Sequence, residues 1–496
     1  MSSTPSLVDL LGKAAEISLS TGLNEAQFEK AIERIAQGLS QLDSGEARSE
    51  EGTPGRLLEG LEKNIQDDPM LVAWAIRLAS ELGEGAWKKF FENFIVRAVV
   101  DRHTIRKRLT EELGHAPPVT LVVNPTMNCN LRCRGCYSFE YSRDGMMEPA
   151  LMRKVLREAR DMGIRFITLS GGEPFSYKHL FEIVEEFHDL TFMSYTNGTL
   201  IDDKIADRLA QVGNLIPAIS VEGYQEQTDA RRGPGVYDRV LAAMERLNSR
   251  GVLFGISITL TRLNSDLVTK DDVLDYYLGR GARFAWLFNY IPVGMAPEVD
   301  LMPTAEQRDL LRQSVVRWRK TRPVFLGDFW NDGATCGGCL SASKYAHVSA
   351  DGYVQPCTFV HFYTHNIREH SLREIFQSPF FKSIRAAQPY GTNLLRACKV
   401  IDHPEVLRRL VAESNAKPAY PGAEAIISDP AFMARIDKYA EDYKAIADEA
   451  WKGEDYQDGR AALVPFSGIV DLYERFAARM KNAQKSEALQ ASKPSK

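Results

Sequence analysis

The sequence predicts an α/β protein whose central sheet is parallel and curls into a partial (β/α)6 barrel, with a helical N-terminal region before it and a cysteine-rich extension after it. Three observations predict this. From residue 119 onward, six apolar runs of strand length alternate with amphipathic runs of helix length, as strands joined by crossover helices do. Such crossovers are right-handed, so a succession of them curls the sheet. The residues that carry chemistry cluster where the apolar runs end, and α/β folds place their sites beyond the C-terminal strand ends.

Residues 1–115 read as helical. Leu10, Leu11, Ala14, Ala15, Ile17 and Leu19 begin an apolar pattern that Phe28, Ile32, Ile35 and Leu39 continue at helical spacing. The polar stretch from Asp43 to Gly55 reads as an exposed linker. A later helix puts Trp87, Phe90, Phe91, Phe94, Ile95, Ala98 and Val99 on one side and Lys88, Lys89, Glu92, Asn93 and Arg97 on the other. That stripe suits packing on a neighbouring domain; a membrane surface or a tunnel for an apolar chain is the other reading.

The barrel, 116–325, has expected strands at Val119–Pro125, Phe166–Ser170, Thr191–Thr196, Leu215–Val221, Leu253–Leu260 and Phe284–Ile291. Helices are expected near 148–162, 179–189, 202–212, 236–250 and 269–279, with another at 304–319. Residues 326–402 form the cysteine-rich region, 403–482 carry helices at 403–414, 429–451 and 466–482, and 483–496 read as a disordered tail.

Composition narrows the function. Sixty-one basic against sixty-six acidic residues leave a formal charge of −5, so no basic face recommends nucleic acid as a partner. Neither a membrane span nor a signal peptide is visible, which points to the cytoplasm. Seven cysteines without an export signal argue for metal centres over disulfides. Three crowd at Cys129, Cys133 and Cys136; the others are Cys336, Cys339, Cys357 and Cys398. Three plus four is the count for one open and one closed metal site.

The first group has the spacing Cys-x3-Cys-x2-Cys, in the loop after the first strand. Thiolates select iron–sulfur clusters or zinc. Three of them leave one iron of a [4Fe–4S] cube without a protein ligand, the open position a substrate-activating metal needs. A zinc knuckle is the plain alternative. Downstream, Gly171-Gly172-Glu173-Pro174 follows the second strand, Thr196-Asn197-Gly198-Thr199 the third and Ser220-Val221-Glu222-Gly223 the fourth, with Asp229-Ala230-Arg231-Arg232-Gly233 beyond. Taken singly these are turns and a solvated charge pair.

Together, in this order, they resemble the radical S-adenosylmethionine (SAM) superfamily: the three-cysteine signature followed by the aromatic Tyr137, then the GGEP loop. The resemblance covers about 118–295. It implies that the amino and carboxylate groups of SAM chelate the open iron and that the loop Gly171, Gly172, Glu173 and Pro174 receives the ammonium. It makes Asn197 a cofactor-binding residue, places Ser220 and Glu222 at the ribose, and sets Arg232 rather than Arg231 against the carboxylate. Adenine contacts would fall near Gly255–Ile258 and Phe288–Val293, where the match is loose. An external one-electron reductant of flavodoxin or ferredoxin type would drive cleavage of SAM to a 5′-deoxyadenosyl radical that abstracts hydrogen from substrate.

The second group reads as a hairpin, Tyr345–Ser349 and Tyr353–Gln355 about an Asp351-Gly352 turn, with Cys339 and Cys357 flanking it. With Asn366-Ile367 and Ser371-Leu372-Arg373-Glu374-Ile375-Phe376 it resembles the SPASM/twitch extension of radical SAM enzymes. Full versions carry cysteines for two auxiliary clusters; the four here provide for one auxiliary [4Fe–4S] cluster, with zinc as the alternative. Relatives of this type mostly modify peptides, so the substrate expectation is a peptide or, from the Trp87 stripe, a lipid or isoprenoid-type molecule. Tyr137, Tyr290, His347, His361 and His365 are candidates for handling protons or substrate, each with a plain structural reading. A non-catalytic iron–sulfur carrier or sensor and a zinc-stabilised binding module are the competing functions.

Overall fold

The computed structural model describes residues 7–44, 68–93, 102–138, 145–294, 297–453 and 456. Two compact units divide the chain. The smaller comprises Met1–Glu81, Arg319–Phe325 and Leu463–Lys496, the larger Leu82–Trp318 and Leu326–Ala462. In the smaller, helices Leu7–Ser20, Glu25–Ser44 and Pro69–Glu81 pack around Ala31, Val72, Ala73, Leu78 and Ala79. Arg34 Nη1 donates to Ala79 O (2.9 Å) and Arg77 Nη2 to Thr21 O (2.9 Å), satisfying carbonyls between helices.

The larger unit begins earlier than the expected boundary at 115. Helices Glu84–Lys89 and Arg102–Leu113 belong to it, and Gly83 N donates to Gly251 O (2.9 Å) while Asn93 Nδ2 donates to His188 O (2.8 Å). Trp87, Phe90 and Phe91 are buried, Trp87 packing against both phenylalanines. The described part of the apolar stripe therefore covers core and offers nothing to a membrane. Phe94, Ile95, Ala98 and Val99 lie outside the described residues, as do most of the 43–55 linker, the expected 466–482 helix and the 483–496 tail. Among the described residues no helix is long and apolar enough to cross a membrane.

The larger unit is built on a nine-stranded sheet in the order β7-β6-β5-β4-β3-β2-β1-β8-β9. Its strands are β1 (Thr120–Thr126), β2 (Phe166–Gly171), β3 (Thr191–Thr196), β4 (Leu215–Val221), β5 (Gly255–Leu260), β6 (Phe284–Asn289), β7 (Phe325–Asp328), β8 (Tyr345–Val348) and β9 (Val354–Gln355). Strands β1 to β6 pair in parallel, in sequence order. Their near-continuous apolar runs follow from burial on both faces; every residue of β2 is buried. The intervening helices end as their sequences dictate. Asp202 accepts from Ile205 N to cap Asp203–Val212, and Gly213 (φ 66°) closes that helix in the left-handed conformation.

Two ring contacts show how far the sheet curls. Tyr195 on β3 meets Phe288 on β6 at 5.4 Å between centroids, although β4 and β5 lie between them in the sheet. Phe329, just past β7, meets Tyr345 on β8 at 5.9 Å, spanning nearly the whole strand order. The sheet is thus a barrel closed by aromatic side chains. The predicted hairpin exists as β8 and β9, but it also joins the barrel: β8 pairs in parallel with β1, Thr120↔Tyr345 to Val123↔Val348. No local pattern in the sequence signals this pairing.

Helix Ala305–Thr321 brings Arg308 into the same unit, where it is fully buried. Its guanidinium donates to Asp402 Oδ1 (2.5 Å) and Oδ2 (3.2 Å), Asn331 Oδ1 (3.1 Å) and Leu395 O (3.1 Å), and stacks on Tyr443. Removing one member of such a pair strands a charge. Arg308→Ala is expected to cost about 3–5 kcal/mol, read as a fall in the urea midpoint of the full-length protein.

Candidate active site and second cysteine group

The loop after β1 holds Cys129, Cys133 and Cys136, and the loop after β2 lies against it. Gly172 N donates to Thr126 O (2.9 Å) and Glu173 N to Asn128 O (2.8 Å). This approach requires glycine: a Cβ on Gly172 would sit 2.2 Å from Asn128 O, and one on Gly171, already at φ +101°, 2.5 Å from Thr126 O. Glu173 is buried and both its oxygens are used. Oε1 accepts from Phe175 N (3.1 Å) and Thr196 Oγ1 (2.7 Å), and Oε2 from Asn197 N (2.8 Å). Burial pushes its carboxyl pKa up against the pull of these bonds. Glu173 thus bolts the β2 loop to the β3 loop, and only its remaining lone pairs could meet an ammonium.

Asn197 extends the link to the cysteine loop. Its Nδ2 donates to Asn130 Oδ1 (2.8 Å) and lies 3.9 Å from Cys129 Sγ. Asn130 Nδ2 donates in turn to Thr199 Oγ1 (2.8 Å). On the other side, Glu222 is 1% exposed, and its Oε1 accepts from Arg231 Nη1 (2.6 Å) and Arg232 Nε (2.8 Å). Arg232 Nη1 lies 4.0 Å from Cys133 Sγ, whereas Arg231 Nε turns to Arg134 O (3.2 Å). The buried Oε2 of Glu222 has no partner, an unmet acceptor beside the cysteine loop. Ser220 Oγ, on β4, lies 3.1 Å from Ser257 Oγ on β5.

Tyr137 follows Cys136, and its hydroxyl meets Ser170 Oγ at 2.6 Å; burial pushes its phenol up to about 12. Its ring contacts Phe359 (5.6 Å), which contacts Trp330 (5.0 Å) and Phe329 (6.2 Å), and both of those contact Phe288. With Tyr195 these rings form an aromatic wall beside the cysteine loop. Sequence reading missed Phe329, Trp330 and Phe359 as site residues. Their proximity to Cys336 and Cys357 in sequence was the available signal, but only the curl of the sheet brings them to Tyr137.

In the second group, Cys336 ends the short helix Gly333–Cys336, and Gly337 and Gly338, both at positive φ, turn the chain to Cys339. Cys357 follows β9, and its buried Sγ accepts from Tyr345 OH (2.7 Å) and Phe359 N (3.4 Å). Cys398 Sγ accepts from Val400 N (3.3 Å). Burial pushes the Cys398 thiol up to about 12, and the charge of Cys339 acts on both Cys398 and Cys357. Cys339 thus lies within electrostatic reach of both Cys357 and Cys398, and Cys336 precedes it by three residues.

One local motif recurs in the two groups: the amide two residues on donates to the sulfur, at Cys129 from Leu131 N (3.5 Å), at Cys357 and at Cys398. Amides aimed at sulfur favour thiolate, and the soft, carboxylate-free donor sets fit iron–sulfur clusters. Among the described residues no three His, Cys, Asp or Glu side chains are close enough for one ion. A cubane, being wider than an ion, holds its thiolates farther apart.

The other candidates have partners of their own. Burial pulls His347 down to about 4 against the opposing hydrogen bond with Gln355 Oε1 (2.5 Å); His361, held at about 3 by burial, meets Tyr420 OH (2.6 Å) and Thr358 O (2.9 Å). His365 meets Thr364 Oγ1 (2.8 Å), and Tyr290 OH accepts from Glu298 N (3.1 Å).

Glu173→Ala would leave three donors facing nothing, at about 1–3 kcal/mol each for those that water cannot reach. The expected loss is about 3 kcal/mol or more, with Glu173→Gln intermediate, measured by urea unfolding.

Two protein-family models match the chain. The radical SAM superfamily model matches residues 123–266, and the SPASM iron–sulfur cluster-binding domain matches 339–399. An AdoMet-dependent heme synthase of Methanosarcina barkeri is 28% identical over 290 residues, which cover 52% of this chain and 82% of that protein. The mycofactocin maturase MftC of Mycolicibacterium smegmatis is 29% identical over 324 residues, 61% of this chain and 80% of that one. Streptococcus suis SuiB bound to its precursor peptide SuiA shares the fold, with a TM-score of 0.51 at 16% identity over 60% of this chain and 75% of that one. The barrel, the strand-end loops and the two domain matches together make this chain a radical SAM superfamily enzyme with a SPASM iron–sulfur domain.

Proposed function

We propose that the chain cleaves SAM reductively at a [4Fe–4S] cluster held by Cys129, Cys133 and Cys136, and that a second [4Fe–4S] cluster is held by Cys336, Cys339, Cys357 and Cys398. The observation that carries this is the ring of groups around the three-cysteine loop: the Gly172–Glu173 backbone on one side, Asn197 on the next, and Arg232 with Glu222 on the third. When bound, a cluster there would supply the electron for reductive cleavage of SAM and, through that cleavage, hydrogen abstraction from substrate.

The chain's own part is to bind, orient and exclude water. Arg232 receives the SAM carboxylate in exchange for part of its hold on Glu222. The unpartnered Oε2 of Glu222 accepts from a ribose hydroxyl, with Ser220 nearby. The Gly171–Pro174 backbone, rigid through Glu173, receives the ammonium. Tyr137 stays protonated and packs behind Cys136. The reductant is an external one-electron carrier of flavodoxin or ferredoxin type.

For the substrate, the aromatic wall favours a flat conjugated ring system. Likeness to the heme synthase points the same way; the MftC likeness supports a peptide as the second reading. The lipid reading loses its motive with the burial of Trp87, Phe90 and Phe91.

Anaerobically reconstituted protein should hold about eight irons, as two [4Fe–4S] clusters require. With dithionite and SAM it should release 5′-deoxyadenosine, and the Cys129→Ala/Cys133→Ala/Cys136→Ala protein should release none. Product from the triple variant, or none from a fully loaded parent given either substrate class, would overturn the reading. Arg232→Met should raise the KM for SAM by about tenfold or more, the worth of one charge-assisted contact.

A further inference from the structure

The second cysteine group contains a cation that no carboxylate neutralises. Lys399 directly follows Cys398 and is 1% exposed. Its Nζ donates to Ser341 Oγ (2.5 Å), its one hydrogen bond among the described residues, where it makes no ion pair. Ser341 Oγ donates onward to Pro356 O (2.8 Å) and so serves as the acceptor for the ammonium. The ammonium is thereby held among three ligand-bearing segments: Ser341 lies two residues after Cys339, Pro356 directly precedes Cys357, and Lys399 adjoins Cys398.

A buried ammonium with a single neutral partner is costly unless negative charge sits nearby. Four thiolates on a cubane supply that charge, and reduction adds one more negative unit. From the other side, Tyr345 donates to Cys357 Sγ (2.7 Å) while accepting from Thr358 N (2.9 Å), which fixes its proton on the sulfur. Net charge and hydrogen bonds to sulfur are the levers that set cluster potentials.

We propose that Lys399 is the built-in counter-charge of the second cluster and, with Tyr345, raises its reduction potential. Both residues favour the reduced form, whose negative charge is larger. They are tuning residues: neither is offered as a ligand or as a group that touches substrate. The inference rests on the reading that Cys336, Cys339, Cys357 and Cys398 hold a cluster, and the experiment separates the two.

The test uses the full chain carrying Cys129→Ala/Cys133→Ala/Cys136→Ala, so that only the second cluster remains, in a redox titration followed by electron paramagnetic resonance. About four irons and a reducible cluster signal in this parent establish the underlying reading; their absence fails that reading before the inference is reached. Lys399→Met should then shift the reduction equilibrium at least tenfold toward the oxidised form, about 59 mV for one electron. Tyr345→Phe should shift it the same way by less, and Lys399→Arg should stay near the parent. Loss of the cluster in Lys399→Met but not in Lys399→Arg would also support the counter-charge. An unchanged midpoint in Lys399→Met with iron intact, or loss of the cluster in both lysine variants, would overturn it.

Discussion

Parallel strands leave an edge wherever they stop, and the edge of β1 is where this molecule joins its two cysteine groups. Strand β8 fills that edge in register, Val122 opposite His347, and β9 then pairs with β8 in the antiparallel sense. A row of backbone donors and acceptors is satisfied that would otherwise face water or another chain. Through the pairing, Tyr345 reaches Cys357 on one side and Phe329 on the other. The cysteine-rich segment is thus the last part of the barrel wall, and its geometry is set by the same sheet that sets the first cysteine loop.

Buried charge follows a matching logic. Glu222 is balanced by two arginines, and Arg308 by Asp402, whose Oδ2 also accepts from Cys398 N (3.0 Å). Each pair lies within reach of a thiol-bearing loop and fixes backbone there. Ion pairs of this kind contribute little net stability over apolar replacements, but losing one partner is severe. Their value here is positional: Arg232 lies beside Cys133, and Asp402 closes the turn that presents Cys398.

The strands were legible because burial on both faces writes itself as continuous apolar runs; β3 and β4 have the ends read from sequence. Loop positions followed, since each chemistry-bearing motif comes directly after a strand. What stayed hidden were relations between distant segments. No local pattern says that Tyr345–Val348 pairs with β1, that Glu173 uses both oxygens on the β3 loop, or that Phe359 meets Tyr137. The described part of the Trp87 stripe, Trp87, Phe90 and Phe91, is core, in line with the packing reading and against the membrane one. Periodicity reports that a face is apolar and is silent on what covers it. Lys399 escaped notice for a related reason: beside Cys398 it looks like any surface lysine until burial is known.

The site and its surroundings are constrained to different degrees by the same geometry. Gly171 and Gly172 are constrained by backbone that an added Cβ would meet at 2.5 and 2.2 Å, so they admit almost no substitution. The aromatic wall is not constrained in that way. Phe288, Phe329, Trp330 and Phe359 come from three separate segments and meet ring to ring, with Phe329 N also donating to Leu287 O (3.1 Å) to hold its segment against β6. A fold of this kind fixes the chemistry in its strand-end loops and leaves the choice of substrate to the residues that line the space beside them. On the proposed function, the question of substrate for this chain falls at the wall running from Tyr195 to Phe359.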